Sequence, residues 1–161
     1  MIYILTTGGT IEGLDNTDNK SAKSSCTIIQ DFIRSPNVEF AYTIESVFKK
    51  DSRDITDKDR ELLARKIKKS NADKFLITHG TFTMENTAKY LGRLNLNVTI
   101  VLVGSFILGS SSNTDAPFNL GYAISSLQFL KPDVYITMNG QIFHWNNVFK
   151  NLETNKFEHS E

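Results

Sequence analysis

The sequence predicts an α/β fold of three layers, in which a mainly parallel sheet is covered by helices on both faces. Short apolar runs alternate with amphipathic helical patterns, which is the order expected when each strand is followed by a crossover helix. The chain has 161 residues, of which 40% are hydrophobic and 22% are charged. This composition is typical of one globular domain with a sizeable core, and we therefore predict a single Rossmann-like or flavodoxin-like domain over residues 1–161.

The first quarter of the chain predicts strand, loop, helix and strand. The apolar run at 2–5 predicts a buried strand, and the polar stretch 12–25 predicts a mobile loop. A short helix should then begin with Thr27 as its N-cap and end at Ser35-Pro36. Loose alternation of apolar residues over 38–48 predicts the second strand.

The middle of the chain continues the same alternation. Thr56 and Asp59 have the spacing of a capping box and predict the start of the second helix. The third strand is expected at 75–77, and Thr83 is expected to cap the helix after it. The fourth strand is expected at 98–103, so that strands and helices still alternate in this part of the chain.

The last part predicts one more helix and strand before a polar tail. Pro117 is placed for a helix start, and Lys131-Pro132 should end that helix. The fifth strand is expected at 134–138, with 141–144 as a possible hairpin partner. The polar tail from about Asn151 is expected to be either a frayed end or a small edge element.

Small polar residues follow the predicted strands where a ligand would bind. Ligands of parallel α/β sheets bind beyond the carboxyl ends of the strands, and Thr10, Ser52, Thr81 and Ser105 all follow such ends. We expect these four residues to cluster on one rim. The Gly8-Gly9 turn can expose backbone amides there, which would suit an anion or a developing oxyanion.

Charge and cysteine content narrow the functional classes. Eighteen basic and eighteen acidic side chains leave a formal net charge of +0, which predicts no binding of nucleic acid or of an anionic membrane. The one cysteine cannot form an intramolecular disulfide, and neither a targeting segment nor a run of transmembrane length is evident, so we expect a cytoplasmic protein. The three histidines lack ligand spacing, so we expect no metal.

Four stretches, in order and with similar spacing, resemble the signature motifs of bacterial-type L-asparaginases. The resemblance covers nearly the whole chain. It is a resemblance to the family's larger N-terminal domain only. Short-chain members of about this architecture form a class, and we expect a complete protein of that class. The matching stretches are Thr7-Gly8-Gly9-Thr10-Ile11, Ile77 to Ala88, Val103-Gly104-Ser105 with Asp115 to Leu120, and Met138-Asn139-Gly140 with Lys150-Asn151.

The resemblance implies a threonine-dependent hydrolase of side-chain amides. Thr10 resembles the nucleophile, and Thr81 resembles the second threonine, paired with Lys150 as its base. A threonine hydroxyl needs an adjacent base to attack an amide carbon, and a desolvated lysine loses its proton readily enough to serve. Attack would release ammonia and leave an acyl-enzyme that water hydrolyses, and no cofactor is needed.

The remaining site residues are assigned by position in the same motifs. Ser52 resembles the residue that holds the substrate α-carboxylate, and Arg53 beside it favours an anionic group. Amides near Gly9, Thr10 and Gly80 are expected to form the oxyanion hole. We also expect Ser105 to contribute to substrate binding at the rim.

The chain departs from the family pattern in three places. Phe82 stands where the family has an aspartate that grips the substrate α-amino group. The loop tyrosine of the family has no evident match between Gly13 and Thr27, and the glutamate of the family's second domain has no counterpart. Two alternatives follow: a catalytically impaired binding or regulatory module, or a hydrolase of amides without a free α-amino group. Because a one-domain site would be open to water, we also expect a homodimer or tetramer.

Overall fold

A six-stranded sheet forms the centre of the computed structural model, which describes residues 1–14, 25–34 and 36–160, without the side chains of 25–28. The strand order is β2-β1-β3-β4-β5-β6, and all neighbours are parallel except β5 and β6. The strands are β1 (Ile2–Gly8), β2 (Tyr42–Lys50), β3 (Lys74–Thr78), β4 (Thr99–Val103), β5 (Asp133–Met138) and β6 (Gln141–His144).

Helices cover both faces of this sheet. One buried cluster joins α2 and α3 to the sheet, and a second joins α1 and α4 to the opposite face. The three-layer, mainly parallel α/β fold expected from the sequence is thereby confirmed. The helices are α1 (Ser25–Arg34), α2 (Asp57–Lys69), α3 (Met84–Gly92) and α4 (Ala116–Phe129), and short 3-10 turns lie at Thr10–Glu12 and Ser52–Asp54.

The strand order places a topological switch between β1 and β3. The chain moves from β1 outward to β2 and then returns to the other side of β1 to form β3. Connections that leave a parallel sheet on opposite faces open a crevice at the carboxyl ends of the two strands, and such crevices bind ligands. The segments that follow Gly8 and Thr78 therefore lie at the expected position of a site.

Two predicted boundaries differ from the structure. The second strand begins at Tyr42 rather than at residue 38, because its partner β1 begins at Ile2, which is paired with Tyr42. Helix α1 begins at Ser25, so that Thr27 lies within the helix and is not the N-cap. Ser and Thr share the same N-cap preference, and residue type alone did not locate the first turn. The predicted loop residues 15–24 and the stop at Ser35 lie outside the described residues.

The polar tail forms an edge element rather than a frayed end. Strands β7 (Phe149–Asn151) and β8 (Lys156–Glu158) pair as an antiparallel hairpin. Phe157 on β8 is 7% exposed, and its ring lies 6.3 Å from that of Phe143 and 6.5 Å from that of Phe106. Burial of one large aromatic side chain thus fixes the hairpin that carries Lys150.

No α-helix among the described residues has the length and apolar character needed to span a bilayer.

Candidate active site

Two glycine corners meet at the switch between β1 and β3. Gly9 has φ 78°, a conformation that L side chains rarely adopt, and a Cβ on Gly9 would lie 2.5 Å from the amide nitrogen of Gly80. The two backbones can approach this closely only because Gly9 carries no side chain. Their contact brings the Thr10 corner and the Thr81 corner together, as the sequence predicted.

A third corner, from the end of β2, joins them. A Cβ on Gly80 would lie 2.7 Å from the hydroxyl oxygen of Ser52. The hydroxyl of Thr83 donates to the carbonyl oxygen of Ser52 at 2.5 Å, which ties this turn to the start of α3. Ser52 is 2% exposed, and its hydroxyl makes no hydrogen bond within the described part of the chain. That hydroxyl is therefore available to a ligand.

Thr81 and Lys150 form a buried pair at this rim. The Nζ of Lys150 lies 2.8 Å from the Oγ1 of Thr81, and the two residues are 8% and 5% exposed. Burial lowers the pKa of the Lys150 ammonium, because the charged form loses hydration. A larger fraction of Lys150 is then the free amine, which can accept the Thr81 proton.

Glu85 is a residue that the sequence analysis did not identify, and it positions Lys150. Its Oε2 accepts the backbone amide of Lys150 at 2.7 Å, so that helix α3 is joined to β7. Glu85 lies in the first turn of α3. A carboxylate there is common for reasons of the helix dipole alone, and so its sequence position gave no signal of a contact 65 residues away.

Phe82 lies at the mouth of the site, between the side chains of Lys150 and Arg53. Its ring centre is 4.3 Å from the Nζ of Lys150 and 4.7 Å from the guanidinium carbon of Arg53, and the residue is 50% exposed. Arg53 is held there by Asp51, which accepts from its Nε at 3.0 Å and its Nη2 at 2.9 Å. The ring offers a cation–π contact to the Arg53 guanidinium, and it offers no carboxylate.

Comparisons with known proteins identify the family of this chain. A family model described as asparaginase, N-terminal, matches residues 1–159. The chain belongs to the asparaginase family. It is 34% identical to a glutaminase-asparaginase of Acinetobacter glutaminasificans, over 97% of this chain and 52% of that protein. It is 31% identical to L-asparaginase 2 of Escherichia coli, over 95% of this chain and 47% of that protein.

Solved structures of asparaginases have the same fold. A probable cytoplasmic L-asparaginase from Campylobacter jejuni matches with a TM-score of 0.81 and 29% identity, over 98% of this chain and 52% of that one. The thermostable L-asparaginase from Thermococcus kodakarensis matches with a TM-score of 0.82 and 29% identity, over 98% and 50%. The chain spans about half the length of these relatives.

Thr10, the predicted nucleophile, lies in the 3-10 turn after β1. Its carbonyl oxygen accepts the amide of Gly13 at 2.9 Å and that of Gly109 at 3.0 Å, which fixes the turn from two sides. The amide of Gly9 donates to the Lys50 carbonyl at 3.1 Å. Because that amide is already engaged, the role of Gly9 at the rim is to permit the close approach of Gly80.

Glu12 supports the same turn from below and was not identified from the sequence. It is 0% exposed, and its Oε1 accepts the amide of Gly8 at 2.9 Å and the hydroxyl of Thr78 at 2.6 Å. These two bonds join the end of β1 to the end of β3. Glu12 therefore organises the glycine turn of the asparaginase motif.

Ser105 lies at the rim, but its hydroxyl has a protein partner. It is 1% exposed and donates to the carbonyl oxygen of Ile107 at 2.8 Å. The Asp115 carboxylate accepts the amides of Phe106 and Ile107 at 3.0–3.1 Å, so that it shapes the same loop. The substrate-binding role of Ser105 stays a prediction.

No group of three or more potential metal ligands is present among the residues that the structure describes. The site is thus built from hydroxyls, one buried amine, backbone amides and an aromatic ring.

Proposed function

We propose that the chain is the hydrolytic domain of an asparaginase-type amidohydrolase, and that it cleaves the side-chain amide of asparagine or a related small amide. The observation that carries this proposal is the buried contact of 2.8 Å between the Lys150 amine and the Thr81 hydroxyl. A lysine desolvated beside a hydroxyl is an arrangement for proton transfer. The family membership gives the reaction class.

The proposed mechanism uses two threonines in sequence. The Oγ1 of Thr10 forms a bond to the amide carbon, and the proton of its hydroxyl passes to the departing nitrogen. The carbon–nitrogen bond then breaks, which releases ammonia and leaves an ester on Thr10. Thr81, deprotonated by the Lys150 amine, activates the water that hydrolyses this ester, and the product acid leaves with Thr10 restored. No cofactor takes part.

Binding groups surround the proposed reaction centre. The free hydroxyl of Ser52 and the cation of Arg53 favour a carboxylate of the substrate. The Thr10 and Gly80 corners supply amides for the oxyanion, in a crevice where such donors stabilise developing charge more strongly than in water. Phe82 covers the Lys150 side of the crevice.

We propose that the active form is a homodimer or tetramer in the cytoplasm. Phe82 at the mouth of the site is half exposed, so that a second copy seated on this rim would shield the acyl-enzyme from bulk water. A similar structure is titled a probable cytoplasmic L-asparaginase, although a relative from Haemophilus influenzae is described as periplasmic. The balanced charge of the chain gives no reason to expect a nucleic acid or membrane partner.

Ammonia release by the purified protein tests the proposal. Asparagine, glutamine and an N-blocked asparagine are compared for the unmodified chain, Thr10→Val and Thr81→Val. We expect release from at least one amide, and a loss of at least about 100-fold in each variant, since each removes a reacting hydroxyl. Release from the blocked substrate alone would select a hydrolase without an α-amino requirement. Ligand binding by calorimetry without ammonia release would replace the proposal with a binding module.

A further inference from the structure

A continuous set of buried hydrogen bonds runs from helix α2 to the peptide before Thr81. The Nε of Arg60 lies 3.1 Å from the Oγ1 of Thr87, which lies 2.8 Å from the Nε2 of His79. The Nδ1 of His79 lies 2.7 Å from the carbonyl oxygen of Gly80. Three elements, α2, α3 and the segment after β3, thus contribute to one line of contacts that ends at the active-site rim.

The last member of this line determines the roles of the atoms before it. A backbone carbonyl only accepts, so that Nδ1 of His79 must carry the proton that it donates to Gly80. A neutral imidazole with its proton on Nδ1 accepts at Nε2, and the Thr87 hydroxyl therefore donates to that nitrogen. An arginine Nε–H only donates, so that the Thr87 oxygen accepts from Arg60 at the same time.

The surroundings of His79 favour this neutral form. His79 and Thr87 are 0% exposed and Arg60 is 7% exposed, so that water cannot replace a missing partner. Burial, together with the smaller effect of the Arg60 charge, lowers the pKa of His79 to about 4, against the opposing effect of its hydrogen bond to the Gly80 carbonyl. At the outer end of the line, the carboxylate of Asp57 accepts from Arg60 Nη1 at 2.8 Å.

We propose that Arg60, Thr87 and His79 act as positioning residues that fix the orientation of the Gly80–Thr81 peptide. This peptide is trans, so that its N–H points away from its C=O. Since His79 holds the carbonyl toward the buried interior, the Thr81 amide points toward the rim. That amide makes no hydrogen bond within the described part of the chain, so that it can donate to the developing oxyanion of the substrate.

The same contact also controls the Thr81 hydroxyl. Rotation of the Gly80–Thr81 peptide would move Thr81 as a whole, and its Oγ1 would leave the Lys150 amine that lies 2.8 Å away. Proton transfer requires heavy-atom distances of about 2.6–3.2 Å. The catalytic part of this inference rests on the proposed function, whereas the tautomer of His79 does not.

The kinetic test compares Thr87→Val, Thr87→Ser and Thr137→Val. Thr137 is a matched control because it is also 0% exposed and its hydroxyl has no hydrogen-bond partner among the residues that the structure describes. We expect Thr87→Val to lower kcat about 10- to 100-fold with KM changed less than about threefold, as one lost buried hydrogen bond implies. Thr87→Ser should restore kcat to within about threefold, and Thr137→Val should leave it unchanged. Wild-type kcat in a folded Thr87→Val protein would overturn the catalytic role.

Two further measurements keep the test decisive. If Thr87→Val does not fold, Arg60→Gln is compared with Arg65→Gln, which changes an exposed arginine on the same helix. Equal kcat values in these two variants would contradict the positioning role of the Arg60–Thr87–His79 hydrogen bonds, here called the relay. Nitrogen-15 NMR of the unmodified protein at pH 7 should show His79 protonated at Nδ1 alone. A proton on Nε2 would refute the relay even with full activity, and the expected tautomer without ammonia release would refute only the proposed function.

Discussion

The Nζ of Lys150 lies 2.8 Å from the Oγ1 of Thr81, although 69 positions separate the two residues in the chain. Thr81 is placed by the end of β3, and Lys150 is placed by a hairpin that packs on Phe143 and Phe106 through Phe157. The pair therefore depends on the docking of this hairpin, residues 149–158, against the sheet. Changes that loosen this hairpin should reduce activity without touching Thr81.

Removal of the Glu85 carboxylate should displace Lys150. Glu85→Ala takes away the acceptor of the Lys150 amide, and we expect kcat to fall about tenfold or more and stability to fall by about 1–3 kcal/mol. Glu85→Gln retains an amide oxygen that can accept this hydrogen bond, and its kcat and its stability should both fall less. Ammonia release and urea unfolding measure the two effects, with the exposed Glu153→Ala as control. Equal losses in Glu85→Gln and Glu85→Ala would argue against a hydrogen-bond role.

A carboxylate at position 82 should strengthen the binding of asparagine. Phe82→Asp would place an anion where the ring now lies between Arg53 and Lys150, and this anion can pair with the α-ammonium of the substrate. We expect KM for asparagine to fall about 10- to 100-fold, the range of a hydrogen bond to a charged group. Phe82→Asn has a similar shape without the charge and should have a smaller effect. If KM rises in Phe82→Asp and not in Phe82→Asn, the new carboxylate pairs with Arg53 and Lys150 and not with the substrate ammonium.

Replacement of glycine by alanine should have opposite effects on stability at Gly9, where the two glycine corners meet, and at Gly121, on a helix with open space around it. In Gly9→Ala the Cβ would lie 2.5 Å from the Gly80 amide at φ 78°, and we expect a loss of more than about 2 kcal/mol in unfolding free energy. Gly121→Ala meets no atom within 4 Å on helix α4 and should stabilise by about 0.5–1 kcal/mol. Urea unfolding measures both. A Gly9→Ala protein as stable as the unmodified chain would contradict the described corner.

The buried His79 predicts a loss of stability on mild acidification. Its pKa is about 4 in the folded protein against 6.5 for the free side chain, so the unfolded chain binds a proton first as the pH falls. The free energy of unfolding should therefore decrease between pH 6.5 and 4, by about 3 kcal/mol in total from this residue. In His79→Gln the decrease over this interval should be smaller by that amount.

A second histidine provides the control of opposite sign. Asp133 and Asn146 raise the pKa of His144, so its contribution to stability is present below pH 6.5 and is lost as the pH rises through its folded value. His144→Gln should leave the decrease between pH 6.5 and 4 in place and remove only a change in stability that lies above pH 6.5. Urea unfolding at several pH values separates the two residues. A pH profile unchanged in His79→Gln would show that His79 has the same pKa in the folded and unfolded states, which would contradict its burial as a neutral imidazole.

The sheet and its rim could be predicted from the sequence because their signals are local. Apolar runs locate the strands, and parallel strands bring their carboxyl ends to one edge. Thr10, Ser52 and Thr81 therefore could be assigned to one crevice before their contacts were known. The N-cap at Thr27 was wrong because neighbouring hydroxyl residues share its preference. The start predicted for the second strand was too early because a strand begins where its partner begins.

The supporting residues could not be found in this way. Glu12, Glu85 and Thr87 act through contacts with segments far away in sequence, and each is an unremarkable polar residue within its own element. The engagement of the Ser105 hydroxyl by Ile107 is likewise a property of loop geometry. Such contacts depend on the three-dimensional approach of elements, which periodicity and capping patterns do not encode.

The role of the Lys150 amine as the base for Thr81 is tested by the kcat for ammonia release from asparagine in Lys150→Met, measured beside Lys156→Met. Both lysines lie on the terminal hairpin, but Lys150 is buried against Thr81 and Lys156 is exposed. We expect kcat to fall about 100-fold or more in Lys150→Met, which is the contribution of a positioned base, and to stay unchanged in Lys156→Met. Full activity in Lys150→Met would show that the buried amine takes no part in the reaction.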